Sequence, residues 1–122
     1  MKATILLLVS DPLVRSVLQE TLEREGYSVL GTGDLGQAVD RLNECVPDLL
    51  ILPNHVQSMP GHEAAKYLRT KCTKMRVLML GGHLADDRLR NRAELQGFEV
   101  FPIYTAAELL QKVKDVLTKP RG

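Results

Sequence analysis

Ile5-Leu6-Leu7-Leu8-Val9-Ser10-Asp11-Pro12 is the stretch on which the fold turns. Five apolar residues follow one another without polar alternation, and the run stops at an Asp-Pro pair. A half-exposed strand alternates. An unbroken run is what a central strand of a parallel sheet needs when helices cover both of its faces. Asp11-Pro12 then reads as a helix start, with the aspartate as N-cap and the proline at the first helical position. Leu49-Leu50-Ile51-Leu52 repeats the unalternated pattern. Two such strands predict a sheet buried on both sides.

Outward from these runs, apolar stretches at 28–32, 76–80 and 100–103 complete a set of five strands, the two central ones spanning 3–9 and 49–52. Helical stretches separate them. The first carries Val14, Val17, Leu18 and Leu22 as its apolar stripe and ends at Gly26. Asp34-x-x-Gln37 opens a second, with Leu35, Ala38 and Leu42. Residues 62–70 form a third, with Ala64, Ala65 and Leu68 inward, and residues 85–96 a fourth of poor periodicity. Thr105-x-x-Glu108 is a capping box opening the fifth, whose stripe is Ala106, Leu109, Leu110, Val113, Val116 and Leu117. Strict β-α alternation with right-handed crossovers predicts an α/β fold built on a doubly wound parallel sheet. Residues 1–118 are expected to form one domain, and 119–122, with Pro120, a tail or the start of a linker.

Composition narrows the function classes. The 122 residues are 44% hydrophobic and 25% charged, ordinary globular values. Sixteen Lys/Arg against fifteen Asp/Glu leave a net charge of +1, which speaks against direct nucleic-acid binding. The longest apolar run is too short to span a bilayer or to serve as a secretory core, so no membrane contact and a cytoplasmic location are expected. Cys45 and Cys72 form no C-x-x-C and read as reduced structural thiols.

In an open α/β sheet, function sits at the carboxyl ends of the strands. The residues there are Ser10-Asp11, Gly33-Asp34, Pro53-Asn54-His55, Gly81-Gly82-His83 and Pro102. Gly31-Thr32-Gly33-Asp34-Leu35-Gly36 fits G-x-G-x-x-G. A dinucleotide fingerprint also needs an acidic residue ending the next strand, and that strand ends Leu52-Pro53. The glycines are therefore read as serving a tight turn. His55, His62 and His83, with Asp11, fall on or near the same rim, but their spacing matches no compact metal motif. No metal or other cofactor is expected.

Several pieces in this order and spacing resemble one family. They are residues 5–15 ending in Asp11-Pro12-Leu13-Val14-Arg15, then Gly26-Tyr27-Ser28-Val29 and Pro47-Asp48-Leu49-Leu50-Ile51-Leu52. Met59-Pro60-Gly61, Val77-Leu78-Met79-Leu80 and Thr105-Ala106-Ala107-Glu108-Leu109-Leu110 continue the series. Together they resemble the CheY-like response-regulator receiver domains of two-component phosphorelay signalling, across essentially the whole chain. The resemblance implies a flavodoxin-like five-stranded sheet of order 2-1-3-4-5 with five helices.

It also implies a chemistry. Two acidic residues after the first strand and an aspartate after the third hold Mg²⁺, and that aspartate accepts the phosphoryl group. A Thr or Ser after the fourth strand and a Lys after the fifth bind the phosphoryl oxygens. Nucleophilic attack by a carboxylate on a phosphate requires a cation to offset the repulsion between anions. Here the acidic pair is reduced to Ser10-Asp11. The phosphoacceptor position is Pro53, or Val56 when counted back from Met59-Pro60-Gly61. The hydroxyl position is Gly81 and the lysine position Pro102. Asp48 precedes its strand and faces the opposite end of the sheet.

The expectation is a receiver-like signalling module, not an enzyme and not phosphorylatable, that acts by protein–protein interaction. Its partner would be a histidine kinase, another regulator or a fused output domain. Phe98, Phe101 and Tyr104, three of the five aromatics, would mark the partner face or fill the core beneath the last helix. The expectation from another class is a small nucleotide- or flavin-binding α/β protein using residues 31–36 or the rim.

Overall fold

A computed structural model describes residues 3–53, 55–56, 59–81, 99–102 and 106–118. Within them run β1 (Thr4–Leu8), α1 (Pro12–Arg24), β2 (Ser28–Thr32), α2 (Leu35–Glu44) and β3 (Leu49–Pro53). After these come β4 (His55–Val56), β5 (Met59–Pro60), α3 (Gly61–Lys71), β6 (Arg76–Gly81), β7 (Glu99–Pro102) and α4 (Ala106–Thr118). The expected fourth helix and the Thr105 capping box lie outside the described residues.

β1, β2, β3, β6 and β7 form one sheet in the order β2-β1-β3-β6-β7, every neighbouring pair parallel. Counted along the sheet's own strands this is 2-1-3-4-5. One element was not anticipated. β4 and β5 pair antiparallel, His55 opposite Pro60 and Val56 opposite Met59, and so make a small hairpin between β3 and α3. Strands of two residues are too short to show any period in a sequence.

Alternation along the central strands sorts the core into two clusters, because successive side chains point to opposite faces. Ile5, Leu7, Leu49 and Ile51 meet Leu18 and Leu22 of α1 and Leu109, Val113 and Val116 of α4. Leu6, Leu8, Leu50 and Leu52 meet Ala38 of α2 and Ala64, Ala65 and Leu68 of α3. All eight strand residues are essentially inaccessible to solvent. At the amino end of the sheet, Asp48 holds the strands in register. Its Oδ2 accepts from the Thr4 amide at 2.9 Å, its amide donates to the Thr4 carbonyl at 2.8 Å, and its carbonyl accepts from the Arg76 amide at 3.1 Å.

The helix caps follow the sequence. Asp11 Oδ1 accepts from the amides of Leu13 and Val14, Pro12 opens α1, and Gly26 closes it with φ 94°. The stripe on α1 needs correction. Leu18 and Leu22 are buried, but Val14 is 43% and Val17 56% exposed, beside Leu13 at 74%. The helix instead turns Arg15 and Gln19 toward β2, where Gly31 and Gly33 leave room for them. On α2, Asp34 Oδ1 accepts from the Gln37 amide and Gln37 Oε1 from the Gly33 amide, both at 2.8 Å. That reciprocal pair satisfies two donors at once. No helix among the described residues is long and apolar enough to cross a membrane.

Candidate functional site

Three strands end side by side on residues that carry no side-chain donor or acceptor. β3 pairs with β6 through Pro53↔Leu80, and β6 pairs with β7 through Gly81↔Pro102. Pro53, Gly81 and Pro102 are therefore brought to one edge, the carboxyl rim. None of the three side chains can hold a metal, attack phosphorus or donate to an oxyanion. Val56, the position given by the other count, lies in the β4–β5 hairpin, 2% exposed and packed in the core with Leu52 and Ala64. Pro53, not Val56, is the residue at the end of β3.

Beside this edge, Ser10 and Asp11 follow β1 and are exposed. Asp11 is occupied: one carboxylate oxygen accepts from the Leu13 amide at 2.8 Å and the Val14 amide at 3.3 Å. It acts as the cap of α1. A divalent ion of the Mg²⁺ type takes hard oxygen ligands and at least one or two carboxylates. With Asp11 Oδ1 engaged by the helix, Ser10 neutral and Pro53 lacking a donor, the second Asp11 oxygen is the one carboxylate ligand these residues offer such an ion. Among the described residues no group of three His, Cys, Asp or Glu comes together.

The two described histidines differ in setting. His55 is exposed on β4, whereas His62 is 3% exposed on the first turn of α3 with its Nδ1 lacking a hydrogen-bond partner. His62 thus begins its helix near the rim but is packed into the interior rather than presented there. His83 lies outside the described residues. So do Phe98 and Tyr104, while Phe101 is described only as backbone paired with Leu80 in β7.

The glycine motif has a different cause from the one its pattern suggests. Among the described residues only Gly26 has a positive φ, so Gly31 and Gly33 are not there for a left-handed turn. A Cβ on Gly31 would collide with Gln19 Oε1, and one on Gly33 would come within 2.8 Å of Arg15 Nη1. The missing side chains make space for α1. Arg15 uses that space to donate from Nη1 to the Val9 carbonyl at 2.7 Å, pinning the end of β1. Sequence reading missed Arg15 and Gln19 because polar residues on a helix read as its solvated face; the paired glycines opposite were the available signal.

The comparisons with known proteins agree with this scaffold. A family model described as "Response regulator receiver domain" matches residues 5–114. The alkaline phosphatase synthesis transcriptional regulatory protein PhoP of Bacillus subtilis is 31% identical over 80 residues, 66% of this chain and 33% of that protein. This chain thus spans about a third of PhoP's length. Sporulation initiation phosphotransferase F of the same organism is 28% identical over 91 residues, 74% of this chain and 73% of that one. Among solved structures, a two-component response regulator of the LuxR family from Aurantimonas sp. SI85-9A1 superposes with TM-score 0.85 at 26% identity. That superposition covers 99% of this chain and 89% of the other. With the family model spanning nearly all of the sheet and its helices, the chain belongs to the response regulator receiver domain family of two-component signalling systems.

Proposed function

We propose that this receiver domain does not accept a phosphoryl group and works as a protein-interaction module of fixed conformation. The observation that carries the reading is the edge formed by Pro53, Gly81 and Pro102, where three adjacent strands present no nucleophile, hydroxyl or ammonium. The engagement of Asp11 as a helix cap supports it further. An effector shifts an equilibrium only by interacting differently with two states. The groups that would read a phosphoryl oxygen are replaced, so the surface offered to partners is the same at all times. The partners in this reading are a histidine kinase, another regulator or an output domain fused to residues beyond the 1–118 unit.

The test is direct. Acetyl phosphate with Mg²⁺ leaves the intact mass of the protein unchanged. A stoichiometric, base-labile gain of one phosphoryl group overturns the reading. The alternative of a nucleotide or flavin ligand at residues 31–36 gains no support, since Gln19 and Arg15 fill the space beside Gly31 and Gly33.

A further inference from the structure

Between Glu63 and Asp86 the chain places five of its sixteen cations and none of its fifteen carboxylates. In a protein of net charge +1 this is a segregation of charge that the total conceals. Two of the five are tied to the protein itself. Arg76 donates from Nη1 to the Val116 carbonyl of α4, and Arg69 donates from Nη2 to the Thr73 carbonyl at 3.2 Å, bracing the turn after α3. The other three, Lys66, Lys71 and Lys74, are exposed, and among the described residues none of them enters an ion pair. Tyr67 stands with them, 44% exposed, with the Lys71 ammonium 5.5 Å from its ring centroid.

Cations in the last turn of a helix are ordinarily explained by the macrodipole. That explanation covers Lys71. It does not cover Lys66, a turn earlier, or Lys74, beyond the helix, and it gives no reason to leave a tyrosine ring half in water. A half-exposed tyrosine is a residue type that protein interfaces favour, and the ammonium groups of the same segment set the charge of what it would meet.

We infer that the carboxyl-terminal end of α3 and the turn after it form a docking site for an acidic protein segment, one rich in Asp and Glu. Charge complementarity selects that occupant: Lys66, Lys71 and Lys74 are exposed within one nine-residue stretch, the Lys71 ammonium lies over the Tyr67 ring, and Glu63 alone of the carboxylates on α3 marks the rimward boundary. A nucleic-acid strand fits less well. It would need to stack bases on Tyr67, and Lys71 already lies over that ring. α3 runs away from the carboxyl rim, since β6 starts at Arg76 opposite Leu49, the first residue of β3. The site is therefore at the amino end of the sheet. It rests on the reading of the chain as an interaction module but is independent of what the rim does.

The experiment uses the full chain and a fluorescein-labelled oligoglutamate peptide, read by anisotropy, with ¹⁵N amide shifts to locate the contact. Saturable binding is expected, weakening as salt screens it, with shifts on residues 66–74. The exposed double variant K71E/K74E should weaken binding about tenfold, with only the small drop in thermal midpoint that an acid at a helix carboxyl end brings, while K71R/K74R retains both. No saturable binding, binding indifferent to K71E/K74E, shifts located elsewhere, or tighter binding of oligothymidylate each overturns the assignment. The phosphorylation test above fails or succeeds separately, so the two readings cannot be confused.

Discussion

The two ends of the sheet have been built under different rules. At the amino end, polar groups are numerous and engaged: Asp48 bridges β1, β3 and β6, and Arg76 reaches the last turns of α4. At the carboxyl rim the strands stop on Pro53, Gly81 and Pro102, which ask nothing of their neighbours. Between them lies an interior that is almost wholly aliphatic. The difference teaches where fold and chemistry are separately encoded. Strand interiors and the amino-end bonds specify the sheet, while function is a matter of the residues at the strand ends rather than of the architecture.

The strongest challenge to that contrast compares two positions on one strand. Ile51 is fully buried between β1 and β6, two residues from Pro53. Ile51→Ala should cost about 2–5 kcal/mol in denaturant unfolding, whereas Pro53→Ala should cost about 1 kcal/mol or less, chiefly through the unfolded chain. Equal losses would mean that the rim shares in specifying the fold. The amino end comes next. Removing the carboxylate in Asp48→Ala leaves the half-buried Thr4 amide without that acceptor, and a loss of about 1–3 kcal/mol is expected. A neutral result would reduce the amino end to the same indifference as the rim.

The smallest expected effect is none at all. Beryllofluoride with Mg²⁺, a mimic of the acyl phosphate, should leave the amide shifts of Gly81 and Phe101 in place. Pro53→Asp alone should not restore a response, because Ser10, Gly81 and Pro102 still lack an acid, a hydroxyl and an ammonium. A saturable set of shifts in the unmodified protein would end the distinction between the two ends.

Much of this was legible in the residues. The unalternated runs at 5–9 and 49–52 became β1 and β3, and the strand expected at 28–32 matches β2 at both ends. Burial on both faces leaves no polar position in a strand, so such strands announce themselves. The alignment of Pro53, Gly81 and Pro102 at one edge was legible too, since it follows from the expected strand ends. The hairpin was not, for want of length. Neither was the burial of His62, whose polar side chain sits among buried neighbours on α3. A period count assigns histidine to the wet side, and here the buried face of α3 begins before the first alanine. The α1 stripe failed for a related reason: the helix took its orientation from β2, an element a helical wheel does not contain.

The interlock of α1 with β2 has a consequence for variation. Positions 15 and 33, and positions 19 and 31, are two coupled pairs in which the small member is defined by the long one. A substitution at either glycine is then felt first by the facing side chain, since enlarging Gly33 crowds the same Arg15 Nη1 that donates to the Val9 carbonyl. Effects within each pair will not add. A side chain at either glycine would first meet the flexible tip of Gln19 or Arg15, so the pattern records a steric fit between helix and strand that a phosphate-loop reading would have attributed to a ligand.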